Sequence, residues 1–142
     1  MQLSISVQRE RDVAEGKKRI LIVDDAALVR RFYRAPLEAA GFEVAEALNG
    51  LEALEAVLQS PAFDLLIVDI NMPQMDGLTF LSKLRDQAGP EATIPALVTS
   101  TESQAQDVEA ARKAGANYYL TKPVKQDALA EYARLMTGVA PS

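Results

Sequence analysis

The stretch LLIVDINMPQMDG, residues 65–77, joins a short apolar run to a carboxylate and then to a turn. Its first four residues are apolar throughout, which is typical of a strand that helices cover on both faces. Asp69 ends this strand, and a lone ionised carboxylate costs several kcal/mol to bury. Either another group offsets this cost, or Asp69 lies at an open edge of the sheet.

The rest of the chain alternates between short apolar runs and segments in which apolar residues recur at helical spacing. Strands are predicted at residues 19–23, 42–47, 64–69, 94–99 and 117–121. Helices are predicted before Gly41, after Asn49-Gly50, after Asp76-Gly77, and over about 103–114 and 126–136. This order predicts an α/β fold with a doubly wound, five-stranded parallel sheet, because parallel strands need crossover connections.

Apolar spacing also predicts which helix residues face the core. These are Val29, Phe32, Tyr33, Pro36, Leu37, Ala40, Leu51, Leu54, Leu58, Leu78, Leu81, Leu84, Val108, Leu129, Tyr132, Ala133 and Met136. Because Pro36 lies inside the first helix, we expect a kink near Phe32 that costs about 3 kcal/mol unless packing absorbs it. The fourth helix should be the weakest, since Val108 and several alanines form its whole inner face.

The chain has 142 residues, a formal net charge of −5, and no histidine or cysteine. This charge argues against binding nucleic acid or an anionic membrane, since such partners need a basic surface. Without thiols or imidazoles, any chemistry has to use carboxylates, hydroxyls, amines and backbone groups. No apolar run approaches the ~20 residues of a membrane span, and residues 1–13 do not read as a signal peptide, so we predict a cytoplasmic protein.

Reactive side chains stand at the carboxyl ends of four predicted strands, where ligands collect in open α/β sheets. They are Asp24 and Asp25, then Asp69, Thr99 and Lys122. Three neighbouring carboxylates cannot all stay ionised without a cation. Oxygen ligands without histidine or cysteine suit Mg²⁺ or Mn²⁺, and the Lys122 ammonium supplies further positive charge.

Each of these residues alone has a simpler structural explanation. An aspartate before a helix is often only its cap, and this explanation is favoured for Asp76. An isolated threonine or lysine is commonly an ordinary hydroxyl or a solvated amine. The pair Arg30-Arg31 fits a solvated helix face, with partner docking as the alternative. The joint placement at one sheet edge is what indicates a functional site.

Several motifs occur together in the order and spacing of one family. They are Asp24-Asp25, the stretch DINMPQMDG at 69–77, Thr99 in LVTST, and AGANYYLTKP at 114–123. With these motifs, residues 19–136 resemble a response-regulator receiver domain, the phosphoacceptor module of two-component signalling, in its free-standing chemotaxis layout. The resemblance implies a flavodoxin-like (βα)5 fold with strand order 2-1-3-4-5.

The resemblance also implies which residues hold the phosphoryl group and the metal. Asp69 accepts the phosphoryl group as an acyl phosphate. Asp25, the Asp69 carboxylate and the Asn71 backbone carbonyl bind Mg²⁺, while Asp24 acts through a metal-bound water. Lys122 pairs first with Asp69 and then with a phosphoryl oxygen.

A conformational switch is implied as well. Thr99 donates its hydroxyl to a phosphoryl oxygen, and Tyr119 matches the aromatic residue that changes rotamer when Thr99 is drawn inward. A strand aromatic packed in place is the alternative for Tyr119. The Lys122-Pro123 peptide is expected to be cis. Val124 stands where the family often has phenylalanine, which leaves packing near the switch open.

The implied partners are a histidine kinase or histidine phosphotransfer protein, and a downstream target at the face of the fourth helix, fifth strand and fifth helix. The module is not a classical enzyme, since it catalyses only its own phosphorylation and dephosphorylation. The alternative is a degenerate receiver that acts as a phosphorylation-independent scaffold. Asn71 disfavours an aspartyl-phosphate phosphatase, which needs a second aspartate there, and the charge of Asp24-Asp25 disfavours a flavin carrier.

The predicted receiver domain covers residues 19–138, between an N-terminal extension at 1–18 and a tail at 139–142. In the extension, apolar residues alternate with polar ones from Met1 to Val7. This pattern fits either a disordered leader or an arm that pairs with a sheet edge or a second copy of the chain.

Overall fold

The structure is a computed structural model that describes residues 16–59 and 62–140. The predicted N-terminal extension, residues 1–18, lies outside the described residues except for its last three. Of the predicted tail, residues 139 and 140 are described.

Five strands alternate with five α-helices, as the sequence predicts. The strands are β1 (Arg19–Val23), β2 (Glu43–Ala47), β3 (Leu65–Asp69), β4 (Ala96–Ser100) and β5 (Tyr118–Thr121). The helices are α1 (Ala27–Ala39), α2 (Gly50–Gln59), α3 (Gly77–Arg85), α4 (Ala105–Ala114) and α5 (Gln126–Thr137), and an unpredicted 3₁₀-helix covers Pro90–Thr93. Among the described residues, no helix combines the length and the apolar character needed to cross a membrane.

All neighbouring strands are parallel and lie in the order β2-β1-β3-β4-β5, which confirms the predicted fold and strand order. The chain runs from β1 outward to β2 and then returns to β3 on the other side of β1. This reversal opens a crevice at the carboxyl ends of β1 and β3. Asp24 follows the first of these strands and Asp69 ends the second.

Side chains of the central strands alternate between two hydrophobic cores. In β3, Leu66 and Val68 face the core formed with α2, α3 and α4. Leu65 and Ile67 face the core formed with α1 and α5. Asp69 follows Ile67 by two residues, so its side chain points to the same side of the sheet. The helices α1 and α5 therefore cover the face on which β3 ends in a carboxylate.

The helix α1 continues through Pro36, which has no N–H to donate to the Phe32 carbonyl. The Gln126 side chain at the start of α5 supplies a substitute, since its Nε2 donates to Phe32 O at 2.8 Å. Contact between α1 and α5 therefore offsets part of the cost of the proline.

Some of the predicted inner residues are exposed, so the prediction was wrong for them. They are Phe32, Leu51, Leu58 and Val108, each 40% or more exposed. In α2 the buried side chains are instead Ala53 and Val57, and in α4 the buried residue is Ala111. A small side chain lets a helix approach the sheet closely, so the buried stripe is centred on the smaller residues and the leucines lie at its margins.

Candidate functional site

The strand register brings three polar side chains together at one point of the sheet edge. Val23 of β1 pairs with Val68 of β3, so Asp24 and Asp69 follow side by side. Asp69 pairs in turn with Thr99 of β4. By the alternation of each strand, all three side chains lie on the face that α1 and α5 cover.

Asp24 is held from two sides and is only 1% exposed. Its Oδ1 accepts a hydrogen bond from the Ala26 N–H at 2.9 Å, and its Oδ2 accepts one from Lys122 Nζ at 3.0 Å. The Arg30 guanidinium donates to the Asp24 carbonyl and forms an ion pair with Glu46. Arg30 is therefore tied to the site rather than solvated as predicted, whereas Arg31 is exposed.

Lys122 bridges the carboxylates of Asp24 and Asp69. Its Nζ lies 3.0 Å from Asp24 Oδ2 and 3.2 Å from Asp69 Oδ1. The Lys122 N–H donates to the Ser100 carbonyl, and the peptide to Pro123 is cis. Burial disfavours the ammonium, but the two carboxylates outweigh burial and raise the pKa of Lys122. The sequence predicted the pairing with Asp69 and missed the slightly shorter contact with Asp24.

Asp24, Asp25 and Asp69 form a carboxylate cluster. One oxygen from each lies within 4.8 Å of the others. Asp24 and Asp69 are buried, and Asp25 is exposed. Burial raises the pKa of Asp69, the charge of Asp24 raises it further, and Lys122 opposes both only in part. The cluster is therefore short of positive charge.

This donor set fits a hard divalent cation. Three carboxylate oxygens converge, and carboxylate oxygen is the ligand type that Mg²⁺ and Mn²⁺ take in proteins. Burial and the charge of Asp24 both disfavour the ionised Asp69 carboxylate, and a bound cation would offset both. Asn71, predicted to contribute its backbone carbonyl, lies exposed in the turn after β3.

The two predicted switch residues differ in their hydrogen bonding. Thr99 is fully buried, and its Oγ1 has no hydrogen-bond partner among the described residues. The half-buried Tyr119 donates its hydroxyl to the Glu102 carbonyl at 2.6 Å. A buried hydroxyl without a partner is unusual in a folded protein, so Thr99 is free to take a new acceptor.

Two further residues, Gly77 and Tyr33, lie beside the site, although the sequence gave no reason to assign them to it. A side chain at Gly77 would collide with the backbone carbonyl of Asp69, so glycine is needed where α3 begins. Asp76 caps that helix as predicted, since its Oδ1 accepts from the Thr79 N–H. Tyr33 lies buried on α1. The sequence signal that could have marked it is a hydroxyl group on an otherwise apolar helix face.

The family model described as the response regulator receiver domain matches residues 20–134. Chemotaxis protein CheY1 of Helicobacter pylori is 36% identical over 121 residues, which cover 84% of this chain and 97% of that protein. Transcriptional regulatory protein PrrA of Mycobacterium bovis is 37% identical over 112 residues, which cover 79% of this chain and 46% of that protein.

Solved structures agree with the sequence comparison. The chemotaxis response regulator CheY4 of Vibrio cholerae has a TM-score of 0.78 and 31% identity, covering 84% of this chain and 98% of its own. The Francisella response regulator 1452 receiver domain has a TM-score of 0.79 and 26% identity, covering 86% and 98%. Since both sequence and fold match over most of its length, this chain belongs to the response regulator receiver domain family of two-component signalling.

Proposed function

We propose that this chain receives a phosphoryl group on Asp69 and transmits the signal by a change in partner binding. The observation that carries the proposal is the position of Asp69 at the carboxyl end of β3, beside Asp24 and Asp25 and 3.2 Å from the Lys122 ammonium. The family consists of signalling phosphoacceptors rather than classical enzymes. Catalysis by this chain is confined to its own phosphorylation and dephosphorylation.

In the transfer step, an Asp69 carboxylate oxygen bonds to phosphorus as the bond from phosphorus to the donor's imidazole nitrogen breaks. The imidazole keeps the electron pair of that bond, and the product on Asp69 is an acyl phosphate. In dephosphorylation, a water oxygen bonds to phosphorus as the bond from phosphorus to the Asp69 oxygen breaks; Asp69 regains its carboxylate, and inorganic phosphate leaves with both protons of the water. Phosphoryl transfer depends on alignment and positive charge, so the absence of an imidazole base in this chain is no obstacle.

Mg²⁺ or Mn²⁺, when bound, supplies positive charge to the phosphoryl oxygens. Asp25, Asp69 and the Asn71 backbone carbonyl would hold it, with Asp24 acting through a bound water. Lys122 already lies within 3.2 Å of Asp69. On phosphorylation, the Lys122 ammonium changes its partner from the free Asp69 carboxylate to a phosphoryl oxygen and forms a charge-assisted hydrogen bond with it.

Thr99 and Tyr119 transmit the modification to the surface. The Thr99 hydroxyl donates to a phosphoryl oxygen, and Tyr119 leaves the Glu102 carbonyl and changes rotamer as Thr99 moves. In α4 the buried residue is Ala111, so little core packing opposes a shift of this helix. The downstream target binds the face formed by α4, β5 and α5.

The phosphoryl donor is a separate histidine kinase or histidine phosphotransfer protein, because this chain has no histidine.

We assign the receiver unit to residues 19–138, the extension to 1–18 and the tail to 139–142. We further propose that the protein acts in the cytoplasm, without direct contact with nucleic acid or membrane.

The proposal is tested by incubating the full chain with acetyl phosphate and Mg²⁺ and measuring its intact mass. We expect the wild type to gain one phosphoryl group and Asp69→Asn to gain none. Asp86→Asn is the matched control, because it removes an exposed carboxylate at the end of α3 and should be phosphorylated like the wild type. A wild type that gains no phosphoryl mass would favour the degenerate scaffold and overturn the proposal.

A further inference from the structure

Tyr33 lies beneath the polar edge of the sheet, on the face to which the reactive side chains point. It sits in the second turn of α1 and is 3% exposed. Its ring packs in the same hydrophobic core as Ile22 and Ile67, which stand two residues before Asp24 and Asp69. Since side chains two apart in a strand share a face, the tyrosine packs on the same face of the sheet as these carboxylates.

The tip of this side chain reaches the reactive groups. Tyr33 lines a cavity of about 470 Å³ together with Lys122, Thr101 and Val124. Burial raises the pKa of Tyr33, the Lys122 ammonium opposes this, and the charges of Asp24 and Asp69 add to it. The hydroxyl therefore stays protonated at neutral pH and can donate a hydrogen bond.

Thr99 is the neighbour for which such a donor matters. Its Oγ1 is fully buried and, within the part of the chain that the structure describes, accepts no hydrogen bond. The Thr99 hydroxyl is near enough to Tyr33 to lower the pKa of the phenol, although Thr99 Oγ1 has no hydrogen-bond partner within the described part of the chain. A neighbour that lowers the pKa of a phenol acts on it as a donor, so the Thr99 proton has to turn to a phosphoryl oxygen before Thr99 Oγ1 can accept from Tyr33.

We propose that Tyr33 is a positioning residue for Thr99, donating its hydroxyl proton to Thr99 Oγ1 while Thr99 donates its own to a phosphoryl oxygen on Asp69. This inference rests on the proposed function. The two hydrogen bonds form a chain in which each strengthens the other, because a hydroxyl that accepts a bond becomes a better donor. Tyr33 would thereby fix the direction of the Thr99 proton and favour the phosphorylated form.

A purely structural role is the competing explanation, since Tyr33 also fills core volume. Tyr33→Phe separates the two roles, because it removes the hydroxyl and leaves the ring in place. Thr99→Val removes the partner hydroxyl at nearly constant volume. Thr137→Val is the control for loss of a hydroxyl, since Thr137 bonds the Ala133 carbonyl at the opposite end of α5.

The experiment measures the rate of phosphorylation by acetyl phosphate with Mg²⁺ for wild type, Tyr33→Phe, Thr99→Val and the double variant, with circular dichroism to verify the fold. We expect Tyr33→Phe to slow phosphorylation by about two- to tenfold, the effect of one hydrogen bond. In the Thr99→Val background the same change should leave the rate unaltered, and Thr137→Val should match the wild type.

Equal rates for wild type and Tyr33→Phe would overturn the inference, and so would an equal slowing in both backgrounds, which would indicate a packing role. Both outcomes leave the proposed function intact, because the wild type is still phosphorylated. Absence of phosphorylation in all four proteins would instead overturn the proposed function and this inference with it.

Discussion

The Asp69 carboxylate is 6% exposed and shares the Lys122 ammonium with Asp24. Burial and the charge of Asp24 raise its pKa above the ordinary value of 3.8. The ionised form is therefore less favourable in the folded state than in the unfolded state, which makes ionised Asp69 a source of instability. The group on which the proposed chemistry depends thus weakens the fold at neutral pH.

This leads to a prediction for Asp69→Asn in the metal-free protein. The penalty is absent below pH 3.8, where the carboxyl is protonated in both states, and complete above the raised pKa of the folded state. We expect the variant to melt higher than the wild type at pH 7, by about 2–4 °C for each kcal/mol relieved, and the gain to vanish as the pH falls toward 3.8.

Thermal unfolding in EDTA, followed by circular dichroism across this pH range, measures the effect. Asp86→Asn controls for the loss of an exposed carboxylate. A melting temperature of Asp69→Asn at or below that of the wild type at pH 7 would contradict the prediction.

The sequence located Asp24, Asp69 and Thr99 because their placement needs only a parallel sheet and the two-residue alternation of strands. It predicted the burial of Tyr33 but not its position beside the site, because the periodicity of a helix reports which face is buried and not what lies above the tip of a side chain. The contact from Lys122 to Asp24 was also missed. That contact depends on the path of the loop after β5, which no local pattern specifies.

The helices α1 and α5 are joined by a hydrogen bond that a proline makes necessary. Pro36 leaves the Phe32 carbonyl without its helical N–H, and Gln126 Nε2 donates to that carbonyl. The sequence predicted the disruption at Phe32. It could not predict the substitute donor, because Gln126 lies 94 residues beyond Phe32 in the chain.

Gln126→Met tests this account, since it keeps the length of the side chain and removes the amide. We expect a loss of about 1 kcal/mol in the free energy of unfolding, measured by urea denaturation. In a Pro36→Ala background the loss should shrink, because the alanine N–H can bond the Phe32 carbonyl. An equal loss in both backgrounds would show that the proline and the glutamine act independently.

Periodicity predicted the number, order and approximate bounds of the helices but not the rotation of each about its axis. In α2, Leu54 and Leu58 are four residues apart, and so are the smaller residues Ala53 and Val57. The buried pair is Ala53 and Val57, because their smaller side chains allow α2 to pack close to the sheet. Which of two adjacent stripes is buried depends on the packing distance, which a single sequence does not contain.

The molecule as a whole should be stabilised by the cation proposed for its carboxylate cluster. A ligand that binds the folded state alone adds about 2.7 kcal/mol at one hundred times its dissociation constant. We expect Mg²⁺ to raise the melting temperature of the wild type. Asp25→Asn should lose most of this rise without unfolding, because Asp25 is exposed and its loss opens no cavity.

Differential scanning calorimetry with Mg²⁺ or with EDTA gives both shifts at matched ionic strength. Asp86→Asn again serves as the control and should respond to Mg²⁺ like the wild type. An equal rise for wild type and Asp25→Asn would place the cation elsewhere on the protein.

The ion pair between Asp24 and Lys122 joins residues 98 positions apart. One partner follows β1 and the other follows β5, so the pair closes only when β1, β3, β4 and β5 have docked side by side. A chain emerging from the ribosome presents Asp24, Asp25 and Asp69 long before Lys122 has been made. The ion pair can therefore form only after Lys122 has been synthesised and its strand has docked, so an unfinished copy of the receiver unit would lack the site proposed to take up the phosphoryl group.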